Sequence, residues 1–167
     1  IEIKAIDKAQ NESVVTIANN ITFDITKPKF TEVLPLASSR INTQTVEWNV
    51  DESLQSGKYT WIHMGGEEDP SAPHEFNLSD DLLKPGKGDN SKLPPLNLVV
   101  DAMYRITLEG TDLAGNTGKK FIMSVVYDDL APQLELKYPL SNSAVNHLDI
   151  SYTLNEQLSI GQIIYTR

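Results

Sequence analysis

The feature that most constrains this chain is an internal repeat. Residues 23–61 align without a gap on residues 127–165, at a shift of 104 positions that carries Phe23 onto Tyr127. Upstream, with one residue of slippage, residues 1–13 align on residues 106–118. A period near 100 residues has the size of a domain, so the chain is predicted to string similar domains together. Identical residues recur at Asp7/Asp112, Ala9/Ala114, Asn11/Asn116, Asp24/Asp128, Pro28/Pro132, Pro35/Pro139, Leu36/Leu140, Ser39/Ser143, Asn42/Asn146, Glu52/Glu156, Leu54/Leu158 and Gly57/Gly161.

The repeat divides the chain into three segments. Residues 1–24 are predicted to be the C-terminal strands of one repeat, residues 25–128 a complete repeat, and residues 129–167 the N-terminal strands of a third. Each boundary places a proline shortly after an aspartate, as in Asp24–Pro28 and again in Asp128–Pro132. Because proline stiffens the backbone and removes a hydrogen-bond donor, it suits a short link between domains.

Alternation of apolar and polar residues with a period of two predicts β-strands. Val46, Trp48 and Val50 point one way, and the polar residues between them point the other way. We expect similar one-sided rows at Tyr59/Trp61/His63, at Tyr104/Ile106/Leu108 and at Phe121/Met123/Val125/Tyr127.

These rows predict an all-β fold of two antiparallel sheets packed face to face, with Trp48 and Ile106 sharing the interior. Glycine and proline turns separate the rows, and no stretch has the pattern of an amphipathic helix. In residues 62–98 and just beyond, the pattern favours strands near 75–78 and 96–100 joined by a long loop. About seven short strands in a repeat of this size is typical of an immunoglobulin-like β-sandwich.

Two stretches carry a family resemblance. Residues 104–118, YRITLEGTDLAGNTG, followed by residues 125–139, VVYDDLAPQLELKYP, resemble the end-and-start signature of bacterial immunoglobulin-like repeats from large surface proteins. Residues 48–79 resemble these repeats as well, through a Glu-Ser-Leu and Gly-Lys-Tyr-Thr-Trp hairpin followed by Gly65-Gly66. One departure is that the first copy reads Lys8-Ala9-Gln10-Asn11, without the glycine of the second, which argues against identical turn geometry.

The resemblance implies a non-catalytic spacer or adhesive module of a long exported bacterial protein, located at the cell surface or outside the cell. The alternatives are a carbohydrate- or protein-binding module, with the loops of residues 62–98 as the binding surface, and an accessory domain of a secreted hydrolase. Neighbouring repeats of the same chain are the expected partners, together with a surface glycan or protein. Residues 1–24 and 129–167 carry complementary strands of one repeat, which predicts pairing between chains.

Composition excludes several other functions. The net charge of −9 disfavours nucleic acid and anionic lipid as partners, and the absence of cysteine removes disulfides, thiolate catalysis and cysteine-based zinc sites. No apolar run is long enough to insert in a membrane. The histidines His63, His74 and His147 lack metal-ligand spacing and are predicted to be solvated or structural. We therefore expect the chain to have no catalytic residues and no cofactor, and we do not expect it to be an enzyme.

Two acidic groups in residues 62–98 would suit a glycosidase pair, but nothing in the sequence indicates that one of them is buried. A solvated acidic loop is the simpler interpretation for Glu67, Glu68, Asp69, Asp80 and Asp81.

Calcium is the one ligand that the sequence suggests. Ca²⁺ prefers several oxygen ligands, and the repeat junction collects Asp112, Asn116, Asp128 and Asp129, with Asp7, Asn11 and Asp24 one repeat earlier. The alternative is that these residues cap turns, as Asp and Asn commonly do. The 24/25 junction keeps one of the two linker carboxylates.

Overall fold

The computed structural model describes residues 1–166 and confirms the predicted all-β class; Arg167, the last residue of the third predicted segment, lies outside the described residues. A single turn of 3-10 helix, Asp80–Leu83, is the helical element of that region. No helix within residues 1–166 is long and apolar enough to cross a membrane. The strands are β1 Glu2–Ile3, β2 Thr16–Ile17, β3 Phe30–Leu34, β4 Arg40–Ile41, β5 Glu47–Val50, β6 Leu54–Gly66, β7 His74–Asn77, β8 Gly86–Asp89, β9 Ala102–Asp112, β10 Thr117–Tyr127, β11 Leu134–Tyr138 and β12 Ser151–Leu154.

Residues 25–128, here called the central domain, contain two sheets. One has five strands in the order β4-β10-β9-β6-β7, and the other has three in the order β3-β5-β8. All pairs are antiparallel except β4 and β10, which run parallel through Val126↔Arg40 and Tyr127↔Ile41. The two sheets contribute to one hydrophobic core, in which the rings of Trp48 and Tyr59 lie 6.5 Å apart.

The alternating rows form the core as predicted. Val46, Trp48 and Val50 of the small sheet are almost fully buried, and so are Tyr104, Ile106 and Leu108 of the large one. Trp48 and Ile106 belong to the same cluster, which confirms the expected shared interior. Each such side chain contributes about 1.5–3 kcal/mol by leaving water, so the rows are the main source of stability.

The row on β10 differs from the prediction. Val125 and Tyr127 are buried, but Phe121 and Met123 are 51% and 42% exposed, and Ile122 is buried in their place. The pairing register with β9 shifts between Ile122 and Val125, and Ser124 has a φ of 59°. This is a β-bulge: one extra residue moves the following side chains to the opposite face.

The segment between β6 and β9 also differs in part. The predicted strand near 75–78 is present as β7, but residues 96–100 form no strand. Instead, the side chain of Gln44 pairs with the backbone of Leu96, accepting from its N–H and donating to its carbonyl, both at 2.6 Å. The third strand of the small sheet is β8, a Gly-Lys-Gly-Asp sequence that pairs with β5.

The flanking segments form two separate two-stranded sheets, β1-β2 and β11-β12. The register of the second repeats that of the central domain position by position: Leu134↔Leu154 matches Phe30↔Val50, and Tyr138↔Ser151 matches Leu34↔Glu47. In the first, Asn20 has a φ of 57° where Ser124 has 59°. Unlike the central sheets, both small sheets expose most of their apolar side chains.

Candidate functional site

The candidate site lies at the end of the central domain where β9 turns into β10. Asp112 ends β9 and is 1% exposed. Its Oδ1 accepts hydrogen bonds from the backbone N–H groups of Ala114 and Asn116, each at 2.8 Å, and its Oδ2 accepts one from the Asn116 side chain at 2.9 Å. Asp112 therefore acts first as the cap of its own turn.

The first copy of this turn has the same hydrogen bonds, although it lacks the glycine. Asp7 accepts from the N–H groups of Ala9 and Asn11 and from the Asn11 side chain, each at 2.8 Å. Gln10 takes a φ of 69° at the position where Gly115 has 92°. The expectation that the missing glycine changes the turn is wrong, because the aspartate cap outweighs the cost of a left-handed glutamine.

Two further carboxylates join Asp112. Asp24 comes from the link before β3, where the Asn116 side chain donates to its backbone carbonyl at 3.1 Å. Glu52 comes from the turn between β5 and β6. Carboxylate oxygens of Asp24, Glu52 and Asp112 all lie within 4.8 Å of one another, and we call these three residues the acidic triad.

The surroundings of the triad shift the pKa values of two of its members in opposite directions. Desolvation and the negative charges of Asp112 and Asp24 raise the pKa of Glu52. Burial also opposes ionisation of Asp112, but the hydrogen bonds from Asn116 and Ala114 outweigh it and lower that pKa. Of these two residues Glu52 has the less favourable charge, because no donor within residues 1–166 offsets the repulsion in the way that Asn116 and Ala114 do for Asp112.

The triad borders an open groove of about 460 Å³ lined by Asn20, Thr22, Asp24, Glu52, Ser53, Leu113 and Ala114. Three carboxylates and neighbouring amide and hydroxyl oxygens are ligands of the type that Ca²⁺ takes. The chemistry of this set fits a hard cation, and the calcium prediction remains a prediction.

The structure does not bring together the four residues predicted at the junction. Asp112 and Asn116 lie beside the Thr111↔Thr117 pair, whereas Asp128 and Asp129 follow the opposite end of the same two strands. Strands of eleven residues separate the two ends by about 35 Å. Asp128 pairs with Arg40 at 3.1 Å, and Asp129 accepts from the Tyr127 hydroxyl at 3.0 Å. Sequence reasoning also missed Glu52, although its recurrence as Glu156 was visible.

The histidines have structural contacts, but one carboxylate in the same region is not solvated. His63 contacts the carbonyl of Glu67, and His147 stacks on Tyr138. Asp69 is 5% exposed, which corrects the interpretation of residues 62–98 as a wholly solvated acidic loop. Its Oδ2 lies 2.7 Å from both His74 Nε2 and the Tyr104 hydroxyl.

The Asp69 cluster ties the segment after β6 to the start of β9. Burial opposes the charge of Asp69, but hydrogen bonds from His74, Tyr104 and Ser71 outweigh it and lower its pKa. Burial and the neighbouring Asp69 raise the pKa of Tyr104, which keeps its hydroxyl protonated as a donor. A general acid needs a pKa near the working pH, and both shifts run the other way.

No family model, curated protein or solved structure matches this chain.

Proposed function

We propose that the chain is a non-catalytic spacer or adhesive module, built from immunoglobulin-like repeats of a long exported surface protein. The observation that carries the proposal is the parallel contact between β4, near the start of the central domain, and β10, at its end. Three backbone hydrogen bonds join them: Ser38 N–H to Met123 O at 2.9 Å, Val126 N–H to Ser39 O at 2.9 Å, and Asp128 N–H to Ile41 O at 2.8 Å.

This contact suits a domain that is pulled through its two ends. The chain enters the central domain at Asp24, beside Asp112, and leaves it at Asp128, about 35 Å away along β9 and β10. Because β4 and β10 are parallel, tension between the ends loads their hydrogen bonds together in shear. Antiparallel neighbours at a free end would instead open one bond at a time.

The strand order supports the immunoglobulin-like assignment. The small sheet β3-β5-β8 corresponds to strands A, B and E, and β6, β9 and β10 correspond to C, F and G, with β7 added as C′. Trp61 on β6 is fully buried and pairs with Ile106. These positions match the buried tryptophan of strand C and the strand-F residue that forms a disulfide in antibody domains.

Tyr104 adds a second mark of this fold. It lies at the start of β9, two residues before Ile106, and its hydroxyl accepts from the N–H of Val99 at 2.9 Å. A tyrosine at the start of strand F that bonds to backbone a few residues upstream is the tyrosine corner of immunoglobulin-like domains. Chains with no cysteine, like this one, rely on such contacts and on core burial alone.

The link into the central domain is short and closely packed. The carbonyl oxygen of Pro28 lies so near Gly118 that a Cβ there would stand 1.9 Å from it. Lys29 N–H donates to Asp51 at 2.8 Å, and Gln133 N–H donates to Asn155 at 2.7 Å one repeat later. The recurrence of this tether supports a string of domains joined in the same way.

Single-molecule force spectroscopy through the two ends tests the proposal. We expect one discrete unfolding event that releases roughly 100 residues, or about 300 Å of extra length once the folded length is subtracted. Val126→Pro removes the N–H that donates to the carbonyl oxygen of Ser39, and it should therefore lower the unfolding force. Thr22→Pro, at the matching position of the first segment, is the control and should leave that event unchanged. Gradual extension without a discrete event would contradict the proposal.

A further inference from the structure

The outer side of the five-stranded sheet carries an apolar patch around one arginine. Arg105 lies on β9 between Tyr104 and Ile106, which are both fully buried, so its own side chain points away from the core. Ile62 pairs with it from β6, and Phe121 lies one position along on β10. The set that we call the outer patch consists of Ile62, Met64, Met103, Arg105, Phe121 and Met123.

Two β-bulges bring additional side chains to this side of the sheet. The bulge of β10 described above places Met123 beside Arg105, and a second bulge, after His63 in β6, places Met64 beside Met103. The chain has three methionines, and all of them belong to the outer patch. Methionine is flexible and polarisable, so it adapts its shape to the surface of a partner.

Arg105 has no acceptor for its charge in the part of the chain that the structure describes. Its guanidinium carbon lies 5.7 Å from the centroid of the Phe121 ring, a cation–π contact that holds the side chain against the sheet. Its Nε is buried and donates to no acceptor within residues 1–166, and the buried Oγ1 of neighbouring Thr107 also lacks a partner there. Buried polar groups without partners are costly, and a carboxylate on the guanidinium would offset part of that cost.

The lysines on the same side of the sheet are already paired. Lys58 contacts Glu75 at 2.9 Å, and Lys119 contacts Glu109 at 2.8 Å. Arg105 forms no such ion pair within residues 1–166. The unpaired charge that this side offers is therefore a single positive one, although the chain as a whole carries a net charge of −9.

The outer patch is particular to the central domain. The pairs Glu2↔Ile17 and Thr107↔Phe121 are equivalent in the repeat alignment, and they fix which residues of the first segment correspond to β10. The counterparts in the flanking segments are Phe121/Ile17, Met123/Asn19 and Ile62/Thr166. A contact between successive repeats would use equivalent positions in every copy. Because two of these three positions become polar, the outer patch does not serve as a contact between repeats.

We infer that the outer patch binds a protein partner that presents an aspartate or glutamate carboxylate among apolar side chains. The inference rests on the adhesive form of the function proposed above. Arginine, methionine and aromatic residues are enriched at the centres of protein interfaces, and the outer patch contains all three. The carboxylate of the partner pairs with the guanidinium of Arg105, and the apolar side chains around it cover Phe121 and the methionines.

The shape and the charge of the outer patch favour this partner over three others. Small ligands and short glycans bind in concave sites with converging polar groups, whereas the outer patch is a sheet surface with apolar surroundings. A strongly acidic polymer would be repelled by the net charge of −9. A symmetric contact with a second copy would bring two Arg105 side chains together, and such like charges oppose association.

A displayed library of random short peptides supplies the probe for an unidentified partner. We expect the peptides that are enriched on the unmodified chain and lost on Arg105→Gln to contain an acidic residue flanked by apolar ones. The most enriched peptide is then compared with a version in which the amide replaces its acidic side chain. The dissociation constant should rise at least about tenfold for the amide peptide, and by a similar factor for Arg105→Gln. Lys120→Gln, an exposed lysine on the other side of β10, is the control and should bind like the unmodified chain.

Methyl NMR of methionine locates the bound peptide. Because all three methionines belong to the outer patch, isotope-labelled methionine methyl groups report on this surface and on no other. The acidic peptide should shift the signals of Met103 and Met123, which flank Arg105, and the amide peptide should shift them several-fold less at equal concentration. Unchanged signals of the free Arg105→Gln variant, apart from those next to the substitution, show that the variant remains folded.

Four results would overturn the inference. They are a library that yields no peptide dependent on Arg105, a bound peptide that leaves the methionine signals unmoved, a glycan with an acidic sugar that shifts these signals where acidic peptides do not, and self-association of the unmodified chain that Arg105→Gln abolishes. The spacer proposal depends on unfolding under force rather than on binding. A discrete unfolding event without any peptide binding would therefore retain that proposal and reject the inference.

Discussion

The hydroxyl of Tyr104 bridges the backbone of Val99 and the carboxylate of Asp69, accepting from one at 2.9 Å and donating to the other at 2.7 Å. Tyr104 is fully buried, and the rings of Trp61 and His74 pack against it at centroid distances of 5.7 and 6.3 Å. One side chain thus joins the backbone just before β9 to the segment after β6. A side chain that connects several hydrogen-bonded and packed groups should contribute more to the free energy of unfolding than its hydrogen bonds counted singly.

Tyr104→Phe tests that role. The variant keeps the ring but leaves the N–H of Val99 unpaired and removes a donor from Asp69. An unsatisfied buried polar group costs about 1–3 kcal/mol, and we expect the free energy of unfolding in urea to fall by that amount. Tyr138→Phe is the control, since its hydroxyl contacts exposed His147, and it should change stability by less than about 0.5 kcal/mol.

The lowered pKa of Asp69 makes stability depend on pH in a defined window. The folded pKa lies below the ordinary value of 3.8, so the charged carboxylate stabilises the fold above that value. That contribution is lost as the pH falls from the ordinary value through the folded pKa, because in this window the unfolded state binds a proton that the folded state does not. Urea unfolding from pH 5 down to pH 2.5 should therefore show a steeper loss for the unmodified chain than for Asp69→Asn.

The comparison isolates Asp69, because the other carboxylates with lowered pKa, such as Asp89 and Asp112, are present in both proteins. Parallel stability curves for the two proteins below pH 5 would mean that Asp69 contributes no charge-dependent stability.

The sequence predicted the parts of the fold that depend on local periodicity. The rows around Trp48 and Ile106 alternate without interruption, and both are buried as expected. The predicted alternation on β10 breaks at Ser124, which has a φ of 59°. A glycine would have indicated such a backbone in the sequence, but this position is a serine. Strand β8 was missed since Gly-Lys-Gly-Asp has low strand propensity, yet a Cβ at Gly88 would stand 2.8 Å from the ring of Trp48. There the packing of a large neighbour selects the glycine.

The candidate site shows the same division. The turn of Asp112 and Asn116 was predictable, because the cap involves residues within four positions. The contribution of Glu52 depends on how the β5–β6 turn meets the end of β9. The burial of Asp69 likewise depends on Tyr104, 35 positions away. Contacts of this length follow from the folded arrangement and have no local pattern.

Gly118→Ala tests the packing of the link. A Cβ at this position meets the backbone carbonyl of Pro28 at 1.9 Å, and a backbone atom moves only if the link itself moves. Such overpacking costs about 1–3 kcal/mol, so the free energy of unfolding of the central domain should fall by about that amount. Gly161→Ala is the control, because its Cβ would meet Leu158 at an ordinary 3.6 Å. Faster proteolysis between residues 24 and 29 should accompany the loss, and equal stability of the two variants would contradict the prediction.

The acidic triad leads to the last prediction, which concerns calcium. With no cation bound, Glu52 repels Asp112 and Asp24, and its raised pKa means that its charge opposes folding at neutral pH. Glu52→Gln should therefore stabilise the chain in a chelator, and the gain should vanish at acid pH where Glu52 is protonated. If Ca²⁺ binds, the unmodified chain gains stability by linkage, about 1.4 kcal/mol at ten times the dissociation constant, and Glu52→Gln loses most of that gain.

The matched control is Glu156→Gln, the same position in the last segment, which belongs to no group of three clustered carboxylates within residues 1–166. Thermal unfolding in calcium chloride is compared with sodium chloride of equal ionic strength, because screening alone weakens repulsion among exposed charges. A rise specific to calcium, present in the control and absent in Glu52→Gln, places the ion at the triad. Equal rises in both salts for all three proteins would show that the carboxylates act through their charge and their turn hydrogen bonds, without an ion.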